Sequence, residues 1–471
     1  MVSRLRTRWA LIGAVIALTI GLSGCIIGPI TGPGKDSLES SFDVSKVGYQ
    51  RAEYFFSETA VSYGNTAALG TDGKWAAAPD PATPAGAFST RFLVYRPTDM
   101  SKFNGTVVVE WMNVSAGTDI PINWAVAHNE FVRAGAIYVG VTAQSVGVNA
   151  IKTANPDRYG KLSHPGDSYS YDIFTKVGQE LQKAPKRFFG GAVAARYIAV
   201  GESQSAGRLV TYINAIHPLV DVYDGFMVHS RGAGSSSLRQ GPLAPVPTPS
   251  PALIRNDLDV PVMVVEAEGD VIGSNTQIRQ ADSPLFREWE MAGTSHADQY
   301  IVITNSSDIG DGQGEIQMLN GLRNPLAVGC GLPINAGGHH WIMQAAWHHL
   351  DAWVRDHTVT PPSGPLLQVA STSPTVLSRD SHGNALGGVR SPQVDAPVAT
   401  ITSFNTGPGF CLLFGSTTPF TAEELAALYP THADFVNAWK ASTTANVAAG
   451  FLLPADKTLL DAAAEASTIP N

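Results

Sequence analysis

Between about residue 90 and residue 360 the chain alternates short, uninterrupted apolar runs with stretches of helical spacing. This alternation limits the possible folds more than any other feature of the sequence. "TRFLVYRP", "GTVVVEWMNV", "AIYVGVTAQ", "ARYIAVGES", "VYDGFMVHS", "VPVMVVEAEGD" and "FREWEMAGTSH" read as strands. "INWAVAHNEFVRAG", "SYSYDIFTKVGQELQ" and "QSAGRLVTYINAIHP" read as the helices between them, the first stopping at Gly135 and the last at Pro218, and "HHWIMQAAWHHLDAWVRDH" is a late helix. A strand with one wet face alternates polar and apolar residues, whereas a run apolar throughout is covered on both faces, as parallel strands with helical crossovers are. The expected fold is therefore α/β: a mostly parallel central sheet with helices on both faces.

Two segments break the alternation. Residues 230–257 are rich in Gly, Ser and Pro and lie between two strands. A connection this long in a compact unit is usually functional or mobile, so a lid or pocket wall is expected there, with His229 and Arg231 either at its base or at a solvated loop start. From about residue 360, Pro-rich turns and helical pieces such as "TAEELAALY" and "PADKTLLDAAAEAS" read as a C-terminal extension packed on the same domain, which runs over 41–471.

The chemistry centres on "RYIAVGESQSAGRL", residues 196–209, where an apolar run meets a helix through Gly-Glu-Ser-Gln-Ser. A strand, Gly-x-Ser-x-small and a helix form a nucleophile elbow: the serine sits on a turn so tight that residues two before and two after it must be small. Gly201 meets the requirement fully; Ser205 stands where a glycine is usual. Ser203 is the expected nucleophile, with Ser205 as the alternative register. The turn places Ser203 at a helix N-terminus, where free N–H groups and the helix dipole favour developing negative charge. Alone the motif is weak, but the remaining parts of an acyl-transfer site follow in the order Ser, acid, His. The run "VPVMVVEAEGD" ends in Asp270, the expected acid, with Glu268 as its rival or as an ion-pair partner of Arg231 or Arg279. His296 follows the last strand-like run and has the near-neutral titration a general base needs. The oxyanion hole would use the N–H of Gln204 and one from the bend Asn113–Val114–Ser115, with Val114 the preferred residue.

Other candidates are weaker. Trp111, Trp124 and Trp289 are either core or the lining of an acyl pocket. His339, His340, His348, His349 and His357 lie on or beside the late helix without a nearby carboxylate at ligand spacing, so neither metal nor other cofactor is expected. With a formal net charge of -9 and no long Lys/Arg run, the sequence offers nothing to nucleic acid.

The N-terminus is a separate matter. Arg4, Arg6 and Arg8 precede "WALIGAVIALTIGL", which is short for a transmembrane span and right for an export signal over residues 1–24. "LSGC" resembles a bacterial lipobox, which implies lipidation of Cys25, a tether over 25–40 and a membrane partner on the outer side of the cytoplasmic membrane or cell envelope. A plain secretory signal is the alternative. In an oxidising compartment the remaining Cys330 and Cys411 are expected as a disulfide, or else as two unrelated thiols.

The blocks "VVVEWMNVSAGTD", "DRYGKLSHPGDSYSYDIF", "GESQSAGRL", "EMAGTSHAD" and "HADFVNAWKASTTANVAAGFLLPAD" resemble those of the family called the alpha/beta hydrolase domain. The resemblance implies that fold and a Ser–acid–His triad carried by Ser203, Asp270 and His296. Together the readings lead to a serine hydrolase acting on a small-molecule ester. An acyltransferase or amidase would use the same residues, and a non-catalytic ligand-binding lipoprotein is the reading of another class.

Overall fold

The computed structural model describes residues 24–31, 42–273 and 275–470. The signal expected over 1–24 lies almost wholly outside these residues, and so does most of the expected tether. Nine strands form one sheet: β1 (Cys25–Ile27), β2 (Tyr49–Ala60), β3 (Gly86–Pro97), β4 (Thr106–Trp111), β5 (Ile137–Val141), β6 (Arg196–Glu202), β7 (Gly225–His229), β8 (Val262–Ala267) and β9 (Phe286–Met291). Their order across the sheet is β1-β2-β3-β5-β4-β6-β7-β8-β9. From β5 to β9 every neighbouring pair is parallel; β3 runs against β5, β2 against β3, and β1 against β2. Residues 25–27, expected at the head of a tether, thus pair as an edge strand.

The uninterrupted apolar runs have a direct cause. Val107 and Val109 of β4 enter the core on one face of the sheet, and Val108 enters the core on the other. Ala199 against Ile198 and Val200 in β6, and Val262 and Val264 against Met263 and Val265 in β8, divide in the same way. Side chains alternate faces along a strand, so two dry faces ask for apolar residues at nearly every position; Glu110 of β4 and Glu266 of β8 are buried exceptions. On the first face pack α2 (Ser170–Lys183), through Ile173, Phe174, Val177 and Leu181, and α3 (Gln204–Thr211), through Leu209 and Val210. On the second pack α1 (Ile122–Ala134) and α4 (His339–Arg355), through Trp124, Phe131, Met343, Ala346 and Leu350. Full burial of each such side chain contributes roughly 1.5–3 kcal/mol. Helix α1 ends where Gly135 adopts φ 73°, a left-handed cap whose N–H returns to the carbonyls of Phe131 and Val132.

The chain beyond residue 360 does not extend the sheet. With α5 (His432–Ala449) and α6 (Pro454–Ala466) it builds a third core, in which Phe435, Trp439 and Leu460 meet Tyr300, Met318 and Trp341 of the main body. Residues 230–257 lie against α3: Ser236 N–H donates to the Gly207 carbonyl, and Leu238, Ala252 and Ile254 are buried. Cys330 and Cys411 form a disulfide.

Candidate active site

At the carboxyl end of β6 the chain turns into α3 within one residue. Ser203 makes that turn with φ 54° and ψ -114°, a conformation costly for any residue with a side chain and concentrated at functional positions. Its N–H donates to the His229 carbonyl and its own carbonyl accepts from Gly207 N–H. The crowding explains the small neighbours. A Cβ on Gly201 would lie 2.6 Å from the Ser205 carbonyl oxygen. Ser205 is tolerated because its hydroxyl folds into the turn, accepting from Glu202 N–H at 2.9 Å and donating to the Glu202 carbonyl at 2.8 Å. With both bonds internal and the side chain buried, Ser205 has no route to a substrate.

The three residues taken from distant parts of the sequence meet at this edge. His296 Nε2 is 2.8 Å from Ser203 Oγ, and His296 Nδ1 is 2.6 Å from Asp270 Oδ1. The second oxygen of Asp270 accepts from Ala267 N–H at 2.9 Å, which fixes the carboxylate at the end of β8. A carboxylate on Nδ1 makes that nitrogen the N–H and leaves the Nε2 lone pair for the serine. Glu268 faces elsewhere. It accepts from Gly293 N–H at 2.9 Å and pairs with Arg379 at 2.7 Å. Of the cations expected beside it, Arg279 instead pairs with Glu290, and Arg231 donates to the Ala252 carbonyl.

One member of the site escaped the sequence reading. Glu202, immediately before Ser203, is buried and places Oε1 3.2 Å from His296 Nε2. Its Oε2 accepts from Asn113 Nδ2 at 3.0 Å. The signal was in the quoted motif, but β6 gave no reason to expect a polar residue at its last position to point into the site. Burial pushes the Glu202 carboxyl up to about 8, reinforced by Asp270 and Glu110 and opposed by His296 and Asn113. Burial alone would lower the His296 imidazole, yet Asp270, its hydrogen bond and Glu202 push it up to about 9. Among the causes of the rise at His296, Asp270 stands ahead of Glu202.

The bend Asn113–Val114–Ser115 lies where expected. Trp111 pairs in register with Gly201, so Asn113 reaches the level of Ser203, and Asn113 Nδ2 also donates to the Glu202 carbonyl at 3.0 Å. Among the described residues no acceptor takes the Val114 N–H. Gln204 opens α3, and the first N–H groups of a helix have no intrahelical acceptor. The tryptophans prove to be core: Trp111 packs on Tyr171 and Phe174, Trp124 on Tyr95, and Trp289 on Phe451. His229 is buried with Nε2 2.8 Å from His339 Nε2, and His339 Nδ1 meets the Ser295 carbonyl, so the pair braces the loop that carries His296. His340 stacks on Tyr300, His348 meets Glu130, and His349 meets the Gly450 carbonyl. A cavity of about 470 Å³ lined by Thr106, Phe131, Trp347 and Arg355 shares no residue with this site, since Thr106 begins its strand where Ser203 follows the end of another.

A family model described as "Alpha/beta hydrolase domain" matches residues 26–462. No curated protein matches the chain. Among solved structures, XC6422 of Xanthomonas campestris, described as an a/b serine hydrolase without lid, is 14% identical. That alignment covers 45% of this chain and 82% of that one, with a TM-score of 0.27. A thermostable esterase of Pseudomonas putida is 14% identical over 45% of this chain and 64% of its own, with a TM-score of 0.23. A dienelactone hydrolase of Anabaena variabilis is 11% identical over 39% and 69%, with a TM-score of 0.23.

Proposed function

The chain belongs to the alpha/beta hydrolase domain family, and from that premise we propose that it is a serine hydrolase of carboxylic esters, exported and held at the membrane by lipid on Cys25. The observation that carries the reading is the unbroken chain of contacts Ser203 Oγ–His296–Asp270, at 2.8 and 2.6 Å. Ser203 Oγ attacks the ester carbonyl while His296 Nε2 takes its proton, and Asp270 holds the ring and stabilises the imidazolium. The N–H groups of Gln204 and Val114 receive the oxyanion, aided by the N-terminus of α3. Collapse of the tetrahedral intermediate returns the proton to the departing alcohol and leaves an acyl-serine. Water, deprotonated by His296, then releases the acid and restores Ser203.

The test is release of nitrophenol from short acyl esters by the full chain. Ser203→Ala and Asp270→Asn should each lose about 10⁴-fold in kcat, while Ser205→Ala and Glu268→Gln stay within roughly tenfold, since neither removes a group that meets substrate. Turnover surviving Ser203→Ala would overturn the proposal. Lipidation is tested separately by metabolic labelling with a fatty-acid probe, which Cys25→Ser should abolish.

A further inference from the structure

Two loops beside His296 carry an uncharged surface with exposed apolar side chains. Residues 324–337 and 403–414 contain no Asp, Glu, Lys or Arg, in a chain that is 15% charged. The Cys330–Cys411 disulfide joins them, and Asn405 bridges them further, accepting from Leu332 N–H and donating to the Leu332 carbonyl. Leu326, Val328, Leu332, Phe404, Phe410 and Leu412 stand out of them, each 38–58% exposed. Six of the fourteen large apolar side chains exposed among the described residues therefore fall in two short segments, which is a patch rather than ordinary scatter. The patch adjoins the triad: Ala297 N–H donates to the Leu413 carbonyl, Ser295 Oγ to the Phe414 carbonyl, and Ser403 Oγ to Glu268.

The N-terminal strand gives this surface a direction. β1 runs against β2, β2 against β3, and β3 against β5, so β1 begins at the edge of the sheet where the parallel strands end. Cys25 is exposed there, and the apolar run of residues 10–22 precedes it in sequence. By strand direction Cys25 lies at the strand ends that also carry Ser203, with β1 at one side of the sheet and the two loops beyond β9 at the other.

We infer that the platform around the Cys330–Cys411 disulfide is immersed in the lipid–water interface and presents water-insoluble, membrane-borne esters to Ser203. An uncharged loop pair with Leu and Phe at its tips fits the acyl boundary of a bilayer, where exposed apolar area is stabilised without a positive surface to attract anionic lipid. The substrate class rests on the esterase reading, and the direction of docking on the anchoring at Cys25; the apolar platform itself rests on neither.

The experiment uses the full chain on phosphatidylcholine vesicles whose acyl chains carry bromine, a contact quencher of tryptophan. Phe410→Trp and Leu412→Trp each place a reporter on the platform, and Val193→Trp places one just before β6, at the opposite edge of the sheet. The other tryptophans among the described residues are buried. The expected result is strong quenching at 410 and 412 beyond the wild-type level and none at 193. Vesicle-bound protein with all three unquenched, protein left in solution, or platform reporters shielded in a dimer seen by sedimentation would each overturn the docking. In parallel, Phe410→Ser/Leu412→Ser should lower hydrolysis of a long-chain ester carried in the vesicles by at least about tenfold, with a soluble short ester unaffected. An equal loss on both, or no loss on either, would overturn the assignment of substrate class. Quenching at 410 and 412 without hydrolysis of any ester would leave the docking standing and refute the esterase reading instead.

Discussion

Replacing Glu202 with Gln should move the acid limb of the pH–rate profile to lower pH. Glu202 Oε1 lies 3.2 Å from His296 Nε2, and an ionised carboxylate there stabilises the imidazolium and so opposes the neutral base that Ser203 needs. At an effective dielectric of about 20, two unit charges at this separation interact by roughly 5 kcal/mol, which is a ceiling. Less is realised, because burial pushes Glu202 up to about 8 and it carries its charge only part of the time near neutrality. An effective 1–2 kcal/mol corresponds to about one unit at 1.36 kcal/mol per unit. The sign is fixed by the chemistry: His296 is raised to about 9, removing a negative neighbour lowers it, and the neutral imidazole then appears at lower pH. The glutamine still accepts from Asn113, so the packing is retained. The assay is kcat/KM for a soluble ester between pH 6 and 10, followed by proton release in a pH-stat so that no chromophore titrates within the range. A limb moved down by about one unit, with the alkaline plateau within severalfold of wild type, is the expected outcome. A limb that stays in place or moves up would refute the electrostatic role of Glu202.

Gly201→Ala should lower both thermal stability and turnover, because the added methyl meets the Ser205 carbonyl oxygen at 2.6 Å and its carbon at 2.8 Å, and both are backbone atoms. Ser205→Ala should lose about 1 kcal/mol in denaturant unfolding while keeping activity, since it removes the hydroxyl bonded to both the N–H and the carbonyl of Glu202 but spares Ser203. Reduction of Cys330–Cys411, which are 81 residues apart, should lower the unfolding temperature, with loop entropy setting a ceiling of about 4.5 kcal/mol. A melting temperature unmoved by reductant would show that the surrounding contacts alone define the two loops.

The sequence revealed most where geometry leaves little choice. An apolar run of the length of β4 or β8 has one good solution, a strand dry on both faces, and Gly135 marks the end of α1 because a left-handed cap has few other occupants. Ser203, Asp270 and His296 were legible because strands of one direction end at one edge, so residues following β6, β8 and β9 converge without any knowledge of their side chains. Glu202 was not legible for the complementary reason. A polar residue closing a buried strand points to either face according to pleat and register, and only the packing against Asn113 and His296 decides it. The partner of Glu268 was missed similarly: Arg379 lies 111 positions away, and no local pattern announces a contact made through the C-terminal extension.

The elbow also shows why a rule about small residues can be met by a serine. Glycine at position 205 would remove the one side chain that touches both the N–H and the carbonyl of Glu202, leaving the carbonyl to Asn113. The Ser205 hydroxyl meets both at 2.9 and 2.8 Å without projecting beyond the turn. That clamp holds the backbone of Glu202, and with it the carboxylate beside His296. The departure from the usual glycine and the buried acid next to Ser203 are therefore one device: Ser205 fixes the residue that biases the protonation of His296. If so, Ser205→Gly should shift the acid limb of the pH–rate profile in the same direction as Glu202→Gln, by a smaller amount. A profile superimposable on wild type would separate the two residues.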